Sequence, residues 1–256
     1  MKILFLGVGA AFTTAEYFQS NMLLTADSGK KLLIDCGSDL RFAMAEAGVG
    51  VGQIDALYLS HQHADHLGGV EWLAYATFFA PSLPRPKLFI EENLAQEAWE
   101  HSLKGGLSCV DDYPRDLSSF FDLRLQKENG QFVWEGVRFS LYKMPHVMTK
   151  LGNLYSYGLL IEAPGREPVF ISTDTIFAPE ILEKIGAKSA LIFHDCETKG
   201  PPSLVHCHYQ ELRKLPKEFR AKTWLYHYQP NPQFDAVKDG FLGFVQKGQE
   251  FEFPRA

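Results

Sequence analysis

Three histidines and an aspartate crowd the string H-Q-H-A-D-H, at His61, His63, Asp65 and His66. The apolar run "IDALYLS" leads into them and Gly68-Gly69 follows. A strand that passes straight into a loop aims closely spaced side chains at one point. His61 and His63, two apart, project the same way from extended chain. Asp65 and His66 can turn toward a second point nearby. Imidazole and carboxylate together suit Zn²⁺, and Mn²⁺ or Fe²⁺ less specifically. The glycine pair is expected to allow tight turning beside the cluster.

Positioning such a cluster takes a core. The chain has 256 residues and 46% hydrophobic content, enough for a globular fold. Apolar runs read as strands at 2–7, at "NMLLTAD" and "KKLLIDCG" around a Ser28-Gly29 turn, at 54–60 and at 86–90. Helical spacing covers 39–47, 71–79 and 91–103. Residues 105–120 are rich in turn formers and read as loop. Four strand candidates follow ("QFVWEG", "VRFSLYKMPH", "SYGLLIEA", "PVFIST"), then a helix at 178–185, a strand in "SALIFHD", a short helix at 208–215 and a strand in "TWLYHY". The tail "FLGFVQKGQEFEF" ends in a strand. No repeat, low-complexity run or linker interrupts this order, so one domain over 1–256 is expected. Two β-rich halves with helices between them predict an α/β fold, a layered αββα sandwich of two mixed sheets flanked by helices.

The formal charge of −6 argues against a long nucleic acid as main partner. A small anion in a metal-charged pocket is unaffected, because there the local charge is the metal's. Cys36, Cys109, Cys196 and Cys207 form no C-x-x-C pair and fit the reduced thiols of a cytoplasm. "MKILFLGVGAAF" reads as a buried first strand and not as a signal peptide. No apolar run approaches the ~20 residues of a membrane span. A soluble cytoplasmic protein is expected.

H-x-H-x-D-H-x-G-G resembles the metal-binding signature of the metallo-β-lactamase superfamily. The resemblance implies further ligands on later strand ends, and the chain supplies His146 in "KMPHVM", Asp174 in "FISTDT" and His227 in "WLYHYQ", in order. It implies one metal on His61, His63 and His146, a second on Asp65, His66 and His227, and Asp174 bridging them. Two cations about 3.5–4 Å apart stabilise both attacking and leaving oxygens of a displacement at phosphorus. The implied cofactor is two Zn²⁺ per chain, with Mn²⁺ as the alternative. Asp65 would also orient or deprotonate the attacking water.

Asp174 stands where zinc β-lactamases of the best-known subclass carry a thiolate, and His63 is not the Glu of flavodiiron oxidoreductases. The opening "FLGVGAAFTT…SNMLL…KLLIDCG" resembles the ribonuclease Z-like branch, which implies Asp35 as a structural carboxylate near the metal loop. "LIFHDCET" and "VHCHYQEL" resemble further stretches of that branch, the latter where it carries a catalytic histidine. His206 fits that placement and His208, at the expected helix start, competes with it. Either could protonate an expelled alkoxide. Asp195 and Glu197 are candidates to hold the imidazole and raise its pKa; His194 reads as support beside the site and His101 as a surface helix residue.

Transfer RNA processing enzymes of the branch carry an extended basic arm. Residues 147–173 read as strands instead, and no such arm occurs elsewhere. "DHLGGVEWLAY", "FHDCET", "HCHYQELRKLP" and "WLYHYQP" are more similar to the anti-Pycsar cyclic-nucleotide phosphodiesterases of phages and bacteria. That resemblance implies hydrolysis of 3′,5′-cyclic nucleotides, cyclic CMP and UMP included, to 5′-nucleotides, countering cyclic-nucleotide immune signalling. It also implies a homodimer in which a loop of one subunit covers its partner's site. The 105–120 loop is the expected lid, with Tyr113 and the following Phe120-Phe121 as base-stacking aromatics. A ribonuclease Z-type RNA phosphodiesterase, a glyoxalase II-like thioester hydrolase and a nucleotide sponge with little turnover are the competing expectations.

Overall fold

Apolar runs bounded by turn residues become the strands of two seven-stranded sheets in the computed structural model, which describes residues 1–256. The first sheet is built from β1 (Lys2–Phe5), β2 (Met22–Thr25), β3 (Lys31–Ile34), β4 (Ala56–Tyr58), β5 (Lys87–Glu91) and β6 (Asp122–Gln126). The second takes β7 (Gln131–Trp134), β8 (Val137–Thr149), β9 (Gly152–Glu162), β10 (Val169–Ile171), β11 (Leu191–Asp195), β12 (Thr223–Tyr226) and β13 (Gly243–Phe244). The last strand, β14 (Glu250–Glu252), returns to pair with β1. Each sheet is mixed: β1-β2-β3 and β7-β8-β9-β10 are antiparallel, β3 to β6 and β10 to β13 parallel.

Helices α1 (Leu40–Glu46), α2 (Ala64–Leu67), α3 (Val70–Phe78), α4 (Glu92–Ala98), α5 (Lys104–Leu107) and α6 (Leu117–Phe120) occur in the first half; α7 (Pro179–Gly186), α8 (Tyr209–Leu212) and α9 (Lys217–Arg220) occur in the second. Alternation along β9 shows how the layers are sealed. Leu159 and Ile161 enter the large core between the sheets, and Leu160 enters the smaller core with Leu182, Ile185 and Leu212 of α7 and α8. This is the αββα sandwich of two mixed sheets expected from the element order.

Aromatic rings join the two sheets. Phe132 on β7 stacks on Phe89 of β5 at 4.1 Å and on Phe139 of β8 at 4.7 Å. Phe5 of β1 meets Phe193 of β11 at 4.9 Å. The buried Tyr58 hydroxyl donates to Tyr157 O at 2.7 Å.

Several local expectations change. The 105–120 stretch is not all loop: a π-helical turn over Trp99–Leu103 carries α4 into α5, and α6 follows. Phe120 and Phe121 are buried core residues and no part of a lid. β6 escaped the sequence pattern because it is an edge strand with charged residues and half-exposed faces, the usual protection against edge pairing. Gly68 and Gly69 have ordinary right-handed φ values. Their reason is space: a Cβ on Gly69 would lie 2.4 Å from Gly37 O, where the D-C-G loop locks onto the histidine loop.

Phe132→Ala opens a cavity at the seam of the two sheets. It is expected to cost roughly 3–5 kcal/mol, read as a lowered urea midpoint. An unchanged midpoint would remove the stack from the list of contacts that hold the sheets together.

Candidate metal centre

The carboxyl ends of the parallel strands open onto one rim of the sandwich, the usual place for a site in such sheets. β4 leads to His61 and His63, and α2 presents Asp65 and His66 one turn later. β10 leads to Asp174, β11 ends in Asp195 and β12 leads to His227. Two of these exits, and that of β3 beside them, bend through the left-handed region just past their strand, at Thr173 (φ 53), His227 (φ 58) and Asp35 (φ 63). For a β-branched residue such as Thr173 that conformation costs on the order of 1–3 kcal/mol. It is held by Ser156, whose hydroxyl lies 3.0 Å from Thr173 Oγ1 and donates to Asp174 O. His146 is delivered differently. The β8–β9 register jumps from Pro145↔Tyr155 to Val147↔Leu154, so His146 is the extra residue of a bulge, a device that re-aims a side chain.

The ligand-grade atoms gather around Asp174 Oδ2. His61 Nε2 and His146 Nε2 lie 3.6 and 3.7 Å from it, with His63 Nδ1 3.3 and 3.0 Å from those two nitrogens. On the other side His66 Nε2 is 3.2 Å and His227 Nε2 3.3 Å from the same oxygen, and Asp65 Oδ2 is 3.3 and 3.7 Å from those rings. Two four-residue sets result, His61, His63, His146, Asp174 and Asp65, His66, Asp174, His227, sharing Asp174.

The outward nitrogens fix the tautomers. His146 Nδ1 donates to Val205 O at 2.6 Å and His66 Nδ1 to Asp35 Oδ2 at 2.8 Å. Ser60 Oγ donates to Asp35 Oδ2, so it accepts from His61 Nδ1 at 3.0 Å. Ser20 Oγ donates to Gly9 O, so it accepts from His227 Nδ1 at 3.1 Å. In all four rings the Nδ1–H is used and Nε2 faces inward, as a lone pair wherever the ring is neutral. His66 Nε2, His227 Nε2 and both Asp174 oxygens are buried without a protein partner. Inward ring nitrogens and carboxylates converging on one point fit divalent cations, and a mixed imidazole and carboxylate set suits Zn²⁺ or its borderline neighbours.

Electrostatics agree. Burial holds His61 well below the ordinary imidazole range, lowers His63 and His227, and brings His146 down to about 4. These rings are neutral, as ligands must be. At His66 burial opposes the charged form, but the carboxylates of Asp174, Asp65 and Asp35 outweigh it and raise the pKa well above the usual value. Asp65 is pushed up by burial, yet His66 and His227 bring it down to about 2. In the protein alone a proton on His66 stands where positive charge is wanted.

The remaining candidates separate clearly. His206 Nδ1 bonds Asp195 Oδ2 at 3.0 Å and lies 3.8 Å from Asp174 Oδ2. Burial works against its charge, but the Asp195 hydrogen bond and the Asp174 charge raise its pKa to about 9. His208 is spent elsewhere: it is the N-cap of α8, its Nδ1 accepting from Gln210 N, with its ring toward Phe234. Asp195 holds His206; Glu197 instead accepts from Ser203 N and anchors the 200–206 loop. His194 is buried with Nδ1 on Asp195 O. Asp35 braces Ser60 and His66. Tyr113 is 69% exposed, pairs with Arg115 and touches none of the centre's residues. Ser20 and Ser60 escaped the sequence reading; only Ser60's place beside His61 carried a signal.

Ser20→Ala removes the acceptor that orients His227. It is expected to weaken metal binding about 10–100-fold in a titration against a chelating dye. Wild-type affinity in that titration would show that the Ser20 bond orients nothing.

The family model described as "Anti-Pycsar protein Apyc1" matches residues 1–251. The anti-Pycsar protein Apyc1 of Paenibacillus harenae is 35% identical over 254 residues, covering 98% of this chain and all of that one. Among solved structures, the metallo-beta-lactamase fold protein YhfI from Bacillus subtilis superposes with TM-score 0.75 at 17% identity, over 98% of both chains. The short form of human tRNase Z gives TM-score 0.70 at 18% identity, over 99% of this chain and 100% of that one. At such identities these two speak for the fold alone. No helix is long and apolar enough to cross a membrane. With the family model spanning nearly the whole chain and the buried histidine–aspartate centre in place, the protein belongs to the Apyc1 family of anti-Pycsar proteins and is a metal-dependent hydrolase.

Proposed function

We propose that the protein is a di-zinc phosphodiesterase that opens 3′,5′-cyclic nucleotides, cyclic CMP and UMP included, to 5′-nucleotides and so counters cyclic-nucleotide immune signalling. The observation that carries this reading is the His206–Asp195 pair at the edge of the centre. A thioester expels a thiolate that leaves without help. A phosphodiester expels an alkoxide, and that step gains from a proton donor held in place.

His61, His63 and His146 would hold one cation, Asp65, His66 and His227 the other, and Asp174 both. When bound, such a pair stabilises the phosphate charge and supplies an activated water at neutral pH. Asp65, with its carboxylate at the centre, orients the attacking water and takes its proton. The P–O3′ bond breaks and the departing oxygen takes a proton from His206. Asp195 keeps that ring in place, because Thr175 N and His206 Nδ1 both donate to its Oδ2. The other nitrogen of His206 has no protein partner, and its side chain is 16% exposed.

Long RNA is the less suitable substrate. β8, β9, β10 and their turns take up residues 147–173, and the charge is −6. A homodimer in the cytoplasm is part of the same reading.

Zinc-loaded protein incubated with cyclic CMP, UMP, AMP and GMP should yield 5′-monophosphates on chromatography, with a precursor tRNA left intact. No turnover of any cyclic nucleotide overturns the reading. His206→Ala should keep its zinc and lose about 10²–10⁴-fold in kcat. Full activity in that variant with loss in His208→Ala would move the acid to His208.

A further inference from the structure

A concavity lies beside the loops that carry the centre. It measures about 320 Å³ and is enclosed by Gln62, the start of α4 and the outer face of the β8–β9 hairpin. That size falls within the roughly 300–1,000 Å³ of small-molecule sites. Its walls share backbone with the metal centre. Gln62 stands between His61 and His63, and alternation along extended chain turns it away from those rings, over the cavity. Tyr157 N donates to Ser60 O, next to His61. Leu154 pairs with Val147, next to His146. Of these three histidines His61 and His146 are fully buried and His63 is partly exposed, so the centre meets solvent at His63, the chain neighbour of Gln62.

Much of the lining is set in advance, and one of its buried polar atoms is left over. Glu91 accepts from Asn93 Nδ2 and Leu94 N. Lys143 Nζ is held by Glu128 at 2.8 Å and lies 4.0 Å above the Tyr155 ring. Glu97 faces His101 at 3.4 Å. Gln62 Oε1 is buried and has no partner. Three carboxylates against one ammonium repel an anion. A ligand spanning both places therefore puts its phosphate at the centre and an uncharged, N–H-bearing end in the cavity.

We propose that this cavity receives the nucleobase of the substrate and that Gln62, accepting from a base N–H, is a specificity-determining residue. The proposal rests on the cyclic-nucleotide reading above and names the part of the substrate that reading leaves unplaced.

The test compares kcat/KM for the four cyclic nucleotides with that for ribose 3′,5′-cyclic phosphate, which lacks a base. The proteins are wild type, Gln62→Ala and Leu154→Trp, the last filling the cavity; zinc content and thermal midpoint are measured for each. Wild type should prefer nucleotides over the abasic compound by about 10–100-fold, in line with the cost of leaving a buried polar group unpaired. Each variant should lose most of that preference, chiefly through KM, whereas a general loss of structure or metal would lower all substrates together. Gln62→Ala stands alone if Leu154→Trp fails to fold. If wild type turns over cyclic nucleotides no better than the abasic compound, or if Gln62→Ala keeps the preference, the subsite is overturned and the function stands. If wild type hydrolyses none of the five compounds, the function and the subsite fall together.

Discussion

Both oxygens of Asp174 are buried and find no partner in the protein, while nitrogens of His61, His66, His146, His206 and His227 stand within 3.8 Å of Oδ2. A bare carboxylate in such a place is costly unless positive charge meets it. His61, His146 and His227 cannot supply that charge, because burial keeps them neutral and their rings spend their protons outward on Ser60, Val205 and Ser20; only His66 and His206 carry it. The molecule is arranged around a deficit of positive charge. A group that binds only the folded chain and fills that deficit adds its binding free energy to stability. The strained turn at Thr173 and the carboxylate cluster are tolerable on the same account.

The deficit also explains why two sheets are needed. The first sheet contributes one contiguous segment, His61 to His66. The second contributes His146, Asp174, His206 and His227 from separate strand ends and loops. Neither sheet alone has enough ligands to satisfy the carboxylate. The aromatic contacts that join them, Phe132 on Phe89 and Phe5 on Phe193, set the distance at which the two halves of the centre face each other. Core packing and site geometry are here one problem.

What the sequence revealed follows from range. His61, His63, Asp65 and His66 are legible because their spacing is local and a strand points them. The sandwich is legible because β9 and its neighbours carry dense apolar runs. His146, Asp174 and His227 required a family resemblance, since nothing local separates a ligand from a satisfied strand-end histidine. Ser20 was beyond reach: an ordinary serine, meaningful only because its hydroxyl meets His227 across the sheet. His206 and His208 differ by the geometry of one helix start, where His208 becomes the cap of α8 and His206 is left to Asp195. β6 was hidden by the charge that protects it as an edge.

The bulge at His146 divides the β8–β9 ribbon into two parts with different freedoms. Between Val137 and Met144 β8 pairs with β9, and over Val137–Ser140 with β7 as well, and it buries residues in both cores, so a slip of one residue would exchange the side chains that face them. Beyond the bulge, Val147–Thr149 pair only with Gly152–Leu154, and Leu151 at the tip is fully exposed. Added residue pairs there cost little loop entropy and leave His146 in place. The scaffold can thus vary the reach of this arm in evolution while holding its chemistry constant, and the size of molecule admitted becomes a matter of hairpin length.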